Sequence, residues 1–369
     1  MKAVAVIDSF KGCATSKELN RAVLSKLPKE FSEKVNLPIA DGGEGTLTAI
    51  QSALAGDWIQ VESCDPLGNP LKDSYLITEI EEKKVAIIES ARFIGLHLVT
   101  PSDSTIQQAS SYGLGMVIKD ALGKKVQQVY VSLGGSATSD GGLGMLSALG
   151  VQLNPKTKAN PLLSVEKLNF DSLLEELQQV EIVALADVTN PYFGEKGFAE
   201  VFAKQKGASK ETILKMDQQA AKVAQIIQEQ TGHSLGNSSG AGAAGGLGGA
   251  IISMGGRIIP GFQAIQEMIG LEHSIKDADL IFTGEGMLDE QTNQGKVPFG
   301  VASLAKKYNI PVIALCGSRG DYLGEMEDLL IGAFCIQKGP ISLEEAMDTQ
   351  QTLKNIADIA SDLAAIFIK

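Results

Sequence analysis

The sequence predicts an α/β protein of two domains, and three observations support this. The chain has 369 residues, which is longer than a chain with a single hydrophobic core usually is. Short β-branched runs alternate with polar, glycine-rich loops and periodic helices, which is typical of a parallel sheet with helices on its faces. Forty glycines with twelve prolines and no repeated period indicate many tight strand-to-helix loops. These loops are therefore where chemistry is expected.

The start of the chain shows the strand, loop and helix order twice. A strand at Lys2–Ile7 runs through DSFKGCATS into a helix near 17–27, for which Ser16 is the candidate cap. A second strand at 35–39 leads through ADGGEG into a helix at 46–55. This alternation predicts parallel strands.

The pattern changes from Trp58, where strand-like segments at 71–77 and 85–89 suggest antiparallel hairpins, and it returns at Asp279. We therefore expect a discontinuous, three-layer domain of the flavodoxin or Rossmann type from 1–65 and 280–369. An inserted α/β domain with a mixed sheet would span 66–279. The later predicted elements are helices at 105–122, 143–149, 210–231 and 343–368 and strands at 126–133, 182–186, 279–283, 312–317 and 333–337.

Charge and cysteine usage exclude several classes of protein. The net charge is −12 and no lysine- or arginine-rich block occurs, which argues against a nucleic-acid or anionic-membrane surface. Cys13, Cys64, Cys316 and Cys335 form no CxxC pair, which argues against a zinc site and for a reducing compartment. Without a long apolar run or a signal peptide, we expect a cytoplasmic protein. The oligomeric state stays open.

The first two loops follow the first two predicted strands. In DSFKG, Ser9, Lys11 and the free amides before the helix suit a phosphate or carboxylate, although the spacing is not that of a Walker motif. A solvated lysine is the alternative reading. In ADGGEG, Asp41 stands beside Gly42 and Gly43, whose entropy cost makes little sense for a plain helix cap. Glu44 needs no role beyond complementing the helix dipole.

Two further loops combine oxygen atoms with backbone amides. The segment GGSATSDGG contains Ser136 and Asp140 and has the composition of an anion nest at a helix N-terminus. Asp187 and Asn190 follow another strand and suit Mg²⁺ or proton acceptance, with an Asx turn before Pro191 as the alternative.

The segment TGEGMLDEQTNQGK, at 283–296, is the densest polar loop. Its oxygen ligands and its cation favour an active-site loop over a solvated turn. The candidates in it are Gly284, Glu285, Asp289, Gln291, Thr292 and Lys296. The GxGxxG at 240–245 lacks a preceding strand, so it predicts a close-packed helix and not a dinucleotide site.

Together, these loops resemble the type I glycerate kinase family, which phosphorylates D-glycerate with ATP. The ordered set covers most of the chain and is highly specific. The matching segments are DSFKG at Asp8, ADGGEGT at Ala40, DPLG at Asp65, IESA at Ile88, SYGLG at Ser111, GGSATSDGGLGML at Gly134, DVTNP at Asp187, QKGA at Gln205, GAGAAGGLG at Gly240, DADLIFTGEGMLDEQT at Asp277 and GKVPFGVA at Gly295.

The resemblance implies two α/β domains with the first discontinuous, a magnesium-ATP cofactor and 2-phosphoglycerate as product, with the active site in the cleft between the domains. The chain departs from the family pattern at Cys13, usually Ser, at Ala186, usually Cys, at Thr189, usually Asp, and at 203–204, usually Gly-Pro. Thr189 removes a possible carboxylate beside Asp187.

Phosphoryl transfer asks a protein to position reactants and to neutralise charge, so we assign roles accordingly. Asp187 is the first candidate for the proton-accepting acid and Asp41 the second, Lys11 is a catalytic cation, and Glu285 and Asp289 are the metal candidates. The predicted substrate- or phosphate-binding residues are Ser9, Lys11, Gly42, Gly43, Ser136, Asp140, Asn190, Gly284, Gln291, Thr292 and Lys296. The alternatives are a kinase for another small hydroxy or sugar acid, and a non-catalytic nucleotide or organic-acid sensor.

Overall fold

The computed structural model describes residues 1–40, 42, 45–173, 175–293 and 295–369. Two predicted site residues, Asp41 and Gly43, lie outside the described residues, as does Glu44. The strands are β1 Lys2–Ile7, β2 Glu33–Asn36, β3 Gly56–Cys64, β4 Pro70–Ile80, β5 Lys83–Glu89, β6 Gln128–Ser132, β7 Gln152–Asn154, β8 Lys167–Asn169, β9 Glu181–Leu185, β10 Arg257–Ile259, β11 Leu280–Leu288, β12 Val312–Arg319 and β13 Gly332–Cys335.

Helices follow most strands. The α-helices are α1 Ser16–Ser25, α2 Thr46–Ala53, α3 Ala91–Ile94, α4 Asp103–Ile106, α5 Tyr112–Gly123, α6 Leu143–Ala148, α7 Phe198–Phe202, α8 Lys210–Thr231, α9 Ala243–Ser253, α10 Gly261–Met268, α11 Leu271–Ile275, α12 Val297–Lys306, α13 Leu343–Ala346 and α14 Thr349–Phe367. Short 3₁₀ turns lie at Leu96–Leu98, Pro161–Leu163, Glu175–Gln178, Lys204–Lys206, Glu290–Asn293 and Gly324–Asp328. Within the described residues, no helix is both long and apolar enough to cross a membrane.

The chain packs into two compact units. The first comprises Met1–Asp41, Thr48–Leu54 and Gly261–Lys369, and the second comprises Gly42–Leu47 and Ala55–Pro260. Each unit contains its own sheet and its own helices, so the α/β class predicted from the sequence is confirmed. The domain limits of 1–65 with 280–369, and of 66–279, stay a prediction.

The sheet of the first unit is parallel throughout its described strands, in the order β13-β12-β11-β1-β2. Helices α1 and α14 pack on it through buried residues such as Leu19, Val23, Ile356 and Ala360. Because parallel strands end at the same edge, the loops after β1, β11 and β12 meet there.

Three local predictions in the first unit are wrong. Thr15 caps α1 with Glu18 in a capping box, whereas the hydroxyl of Ser16 donates to the Ile7 carbonyl. The predicted strand at 35–39 is Glu33–Asn36, because its pairing with β1 ends at Asn36. The single helix predicted at 343–368 is divided, since Asp348 accepts a hydrogen bond from the Gln351 amide and starts α14 anew.

Strand β11 is also longer than predicted, so Gly284 and Glu285 lie in a strand and not in a loop. The reason is long-range pairing, because β12 continues beside it and places Glu285 opposite Cys316. Gly284 suits this close packing, since a Cβ there would lie 1.8 Å from the Leu315 carbonyl oxygen. The polar composition of the segment does not indicate a strand, and its pairing with β12 stabilises the strand.

The second unit has the predicted mixed sheet, in the order β10-β9-β6-β5-β4-β3. Strands β5, β6, β9 and β10 are parallel, whereas β3 and β4 form antiparallel pairs at one side. A separate antiparallel hairpin joins β7 to β8. The helix predicted at 105–122 is divided into α4 and α5, because Ser111 between them bonds to Asp140 through its amide and its hydroxyl.

The glycine-rich segment at 240–249 is a close-packed helix start, as predicted. Ala244, Gly245 and Gly246 adopt left-handed backbone angles before the helix proceeds. A Cβ on Gly245 would lie 2.0 Å from the Thr138 carbonyl oxygen, and the Gly141 amide donates to the Gly245 carbonyl at 2.9 Å. This segment therefore supports the GGSATSDGG loop through backbone contacts.

Candidate active site

Polar residues at the ends of the strands in the first unit line a pocket of about 410 Å³. The end of β1 supplies Asp8, Ser9 and Lys11, strand β11 supplies Glu285, and the start of α12 supplies Lys296. The pocket therefore combines carboxylates with two ammonium groups in a small volume. That composition suits a ligand that bears both negative charge and a cation.

Glu285 is the buried acid of this pocket, with 7% of its surface exposed. The Thr292 hydroxyl donates to one carboxylate oxygen at 2.6 Å, and the Lys296 ammonium donates to the other at 3.3 Å. Burial raises the pKa of Glu285, the two hydrogen bonds oppose that rise, and the charge of Asp289 adds to it. A cation bound beside Glu285 would therefore favour its charged form.

The turn after β11 holds these groups in place. The Asp289 carboxylate accepts from the Gln291 amide at 2.9 Å, and the Thr292 hydroxyl accepts from the Asp289 amide at 3.2 Å. Lys296 is the N-cap residue of α12, which fixes its backbone beside the strand end. The turn thus orients Thr292 and Lys296 towards Glu285, and Gln291 contributes its amide to that turn.

The loop after β1 completes the pocket. The Ser9 amide donates to the Asp8 carboxylate at 2.7 Å, and the Asp8 amide donates to the Gly284 carbonyl at 2.9 Å. Gly12 has a φ of +73°, so the chain can turn sharply from Lys11 towards α1. Asp8 is buried here, yet the sequence analysis gave it no role.

The second unit brings another set of polar residues to one edge of its parallel strands. Glu89 ends β5 and pairs with Ser132 of β6, which in turn pairs with Leu185 of β9. Ser136 and Asp187 follow β6 and β9 at the same edge. Glu89 is buried and accepts from the Gly45 amide at 2.7 Å. Glu89 lies in the IESA segment, but it was not among the predicted site residues.

Asp187 and Asn190 lie in a loop whose shape is fixed from within. The Asn190 side chain donates to the Lys196 carbonyl at 2.9 Å, and the Asn190 carbonyl accepts from the Gly242 amide at 2.9 Å. The Asp187 side chain is exposed. The loop therefore presents a carboxylate towards solvent on a constrained backbone.

Asp140 has a different environment, because it is fully buried. Its oxygens accept hydrogen bonds from the amides of Ser111, Gly142 and Gly144 and from the Ser111 hydroxyl, at 2.7–3.1 Å. Burial raises its pKa, and these four bonds oppose the rise. The contacts join the GGSATSDGG loop to the start of α5, which is a structural task. Its predicted part in ligand binding stays a prediction.

Lys206 is a further residue that the sequence analysis missed, although it lies in the QKGA segment. Its ammonium is buried and donates to the Ser136 hydroxyl and to the Thr138 carbonyl. Lysine is nearly always exposed, so only the tertiary structure reveals this contact.

The predicted site residues that the structure describes form two groups, one in each unit. Gly42 is described and buried, with a φ of +95°.

The carboxylates in and beside the first pocket are of a kind that suits Mg²⁺. Among the described residues, no group of three or more His, Cys, Asp or Glu side chains could hold a metal ion. Magnesium usually takes only one or two carboxylates and completes its shell with phosphate oxygens and water. Glu285 lines the pocket, and Asp289 lies outside its lining in the turn after β11, where its charge still raises the pKa of Glu285. Their number is within what Mg²⁺ takes.

Known proteins resemble the whole chain. Residues 3–368 match the model of the glycerate kinase family. A glycerate kinase of Halalkalibacterium halodurans is 38% identical over 96% of this chain and 97% of its own. A glycerate 2-kinase of Escherichia coli is 34% identical over 99% and 97%. A solved structure described as a putative glycerate kinase 2 from Salmonella typhimurium LT2 superposes with a TM-score of 0.87, at 34% identity over 99% of this chain and 98% of its own. The chain therefore belongs to the glycerate kinase family and is an enzyme of that family.

Proposed function

We propose that this enzyme transfers the terminal phosphoryl group of ATP to the 2-hydroxyl of D-glycerate, giving 2-phosphoglycerate and ADP. The observation that carries the proposal is the pocket of the first unit, where a buried Glu285 lies with Lys11 and Lys296 at the strand ends. Relatives over almost the full length are named glycerate kinase or glycerate 2-kinase.

The cations and carboxylates of that pocket suit the phosphate end of a nucleotide. Lys11 and Lys296 would bind phosphate oxygens, and the amides near Ser9 would add hydrogen bonds. Glu285 and Asp289 would hold Mg²⁺, which when bound neutralises charge on the phosphate oxygens. Thr292 keeps Glu285 in position, because its hydroxyl donates to that carboxylate.

The acid substrate needs a group that orients its hydroxyl and accepts the proton late in the transfer. We assign this task to Asp187, since its carboxylate is exposed at a strand end on a constrained loop. Asp41, which lies outside the described residues, is the second candidate. That both groups of residues serve one active site stays a prediction from the sequence, as does a cytoplasmic location.

A panel of short acids tests the substrate class. ADP release, followed with a coupled assay, should be fastest with D-glycerate and much slower with L-glycerate, lactate, glycolate and longer sugar acids. Faster release with another acid would indicate a kinase for that acid. If none of the acids stimulates ADP release while ATP binds, the enzyme proposal fails and the sensor alternative gains support.

A further inference from the structure

The buried ammonium of Lys206 is not explained by the roles assigned so far. Lys206 ends the 3₁₀ turn Lys204–Lys206 and is 4% exposed, whereas Lys204 in the same turn is exposed. Removing an ammonium group from water costs several kcal/mol unless the site compensates it. The charge of the buried Asp140 offsets part of this cost, but the hydrogen bonds of Lys206 go to the loop after β6 and not to Asp140.

The contacts of Lys206 go to the loop that follows β6. Its Nζ lies 2.6 Å from the Thr138 carbonyl oxygen and 3.0 Å from the Ser136 hydroxyl oxygen. Burial lowers the pKa of Lys206 to about 7, and the charge of Asp140 partly opposes that change. The ammonium is thus incompletely compensated, and a nearby anion would stabilise its charged form.

The contact with Lys206 determines what Ser136 can do. In its charged form, which a bound anion favours, the Lys206 ammonium only donates hydrogen bonds, so the Ser136 oxygen is the acceptor. The hydrogen of the Ser136 hydroxyl then points away from Lys206 and can be donated to another group. Ser136 is further held by a backbone bridge to Gly95, so its position in the loop is fixed.

Two neighbouring hydroxyls also point to an incomplete site. The side chains of Thr138 and Ser139 are fully buried, yet their hydroxyl oxygens have no hydrogen-bond partner among the described residues. Buried polar groups almost always find a partner, in a protein, a water molecule or a ligand. The same loop follows β6 at the edge where Glu89 and Asp187 also lie, and ligands gather at such edges.

We propose that Lys206 is a positioning residue that orients the Ser136 hydroxyl towards an anionic oxygen of a substrate. This inference rests on the proposed kinase function for the identity of the anion, which is the carboxylate of the acid or a phosphate of the nucleotide. Lys206 contributes in two ways, because it directs the hydroxyl and also places a positive charge behind it in a poorly solvated site.

Four variants test the proposal: Lys206→Met, Ser136→Ala, the double variant, and Lys204→Met as the matched control from the same turn. Calorimetry measures their dissociation constants for D-glycerate, ATP and inorganic phosphate, and steady-state kinetics gives KM for each substrate. Lys206→Met should raise the dissociation constant of one substrate by roughly tenfold or more, as expected for a lost charge-assisted hydrogen bond. Ser136→Ala should raise the dissociation constant of the same substrate. Lys204→Met should bind all three probes as tightly as the parent protein.

The double variant supplies the decisive comparison. If Lys206 acts through Ser136, the double variant binds no more weakly than Lys206→Met alone, whereas independent roles give effects that multiply. Weakening confined to D-glycerate identifies the carboxylate as the anion, and weakening confined to ATP and phosphate identifies a phosphate. Effects that multiply in the double variant would overturn the inference. Unchanged affinity of Ser136→Ala for all three probes would also overturn it, and this result can be obtained even if Lys206→Met does not fold.

The kinase function and this inference can fail separately. In a protein without ADP release, anion binding that depends on both Ser136 and Lys206, with effects that do not multiply in the double variant, would overturn the kinase proposal and support the positioning role. Normal ADP release that is insensitive to Ser136→Ala would overturn only the positioning role.

Discussion

Glu285 in the first unit and Asp140 in the second are both buried carboxylates beside glycine-rich segments, yet their partners differ. Asp140 accepts four hydrogen bonds from its own loop and from Ser111. Glu285 accepts one from Thr292 and one from a half-exposed Lys296, and it lines a pocket. A buried acid is therefore not by itself a sign of function. The partners of its oxygens separate a structural acid from one that can meet a ligand.

The comparison extends to the groups that would contact substrates. In the first unit, the Glu285 carboxylate itself lines the pocket, where a bound cation would favour its charged form. In the second unit, the buried Asp140 organises the loop, and the exposed Asp187 and the Ser136 hydroxyl that Lys206 contacts are the candidates for ligand contact. We therefore expect the first group to handle metal and phosphate and the second to handle the acid substrate.

The largest effect is expected for Asp187→Asn, which keeps the shape of the side chain and removes its charge. The turnover number at saturating Mg²⁺ should fall by about 10²–10⁴-fold, because loss of a general base typically costs that much. The melting temperature should change little, since the side chain is exposed. Glu195→Gln, an exposed acid of the same loop, is the control.

Two outcomes would change the assignment of Asp187. If higher Mg²⁺ restores the rate of Asp187→Asn, the residue is a metal ligand and Asp41 becomes the candidate base. A rate near that of the parent protein would exclude both roles.

Asp140→Asn should act on stability. An amide group in place of the carboxylate turns one acceptor into a donor and sets it against the donors of Ser111, Gly142 or Gly144. We expect the free energy of unfolding to fall by roughly 2–4 kcal/mol, in urea titrations, because buried donors lose their acceptor. Asp171→Asn, an exposed acid of the same unit, should change it little. A loss below about 0.5 kcal/mol would contradict the structural role.

Lys11→Ala and Lys296→Ala should each raise the KM for ATP or for the acid by roughly tenfold and slow turnover, since each removes a charge that would bind substrate oxygens. Neither should unfold the protein, because partly exposed lysines add little to stability. Lys307→Ala, at the other end of α12, is the control. If turnover and KM stay within twofold of the parent protein in both variants, these lysines are solvated surface residues without a role in substrate binding.

The smallest of these effects should be the change that Glu285→Gln makes to the pH dependence of the free energy of unfolding. Burial raises the pKa of Glu285 above its ordinary 4.5, so the folded chain holds this proton at pH values where the unfolded chain has lost it. The free energy of unfolding should therefore fall as the pH rises through 4.5 towards the raised pKa, and then level off.

The Gln side chain does not titrate, so Glu285→Gln should lack this fall and be at least as stable as the parent protein at pH 7. The measurement is the difference between urea titrations of the two proteins from pH 4 to pH 8. A stability difference that stays constant from pH 4 to pH 8 would contradict the raised pKa of Glu285. A parent protein that gains stability relative to the variant as the pH rises would contradict it too.

Much of the fold could be predicted from the sequence, because buried parallel strands leave short apolar runs and each polar loop follows such a run. Lys2–Ile7 and Lys210–Thr231 were predicted with the observed limits. The extension of β11 was missed, because its polar residues stay in the sheet only through pairing with β12.

The site was predicted less completely, for a related reason. Asp8, Glu89 and Lys206 are buried polar residues, and burial depends on packing between segments far apart in sequence. A signal for Lys206 did exist, since QKGA was among the segments that resemble the family, but an isolated lysine carries no mark of burial. Asp140 was noticed for its composition, while the sequence could not show that its oxygens are engaged within the protein.

The most direct test of the account is the product formed from D-glycerate and ATP, observed by phosphorus NMR without proton decoupling. A phosphate on the 2-oxygen couples to the single proton of that carbon and gives a doublet, whereas a phosphate on the 3-oxygen couples to two protons. We expect the doublet together with stoichiometric ADP. A product signal with coupling to two protons, or ATP loss to inorganic phosphate without any phosphorylated acid, would contradict it.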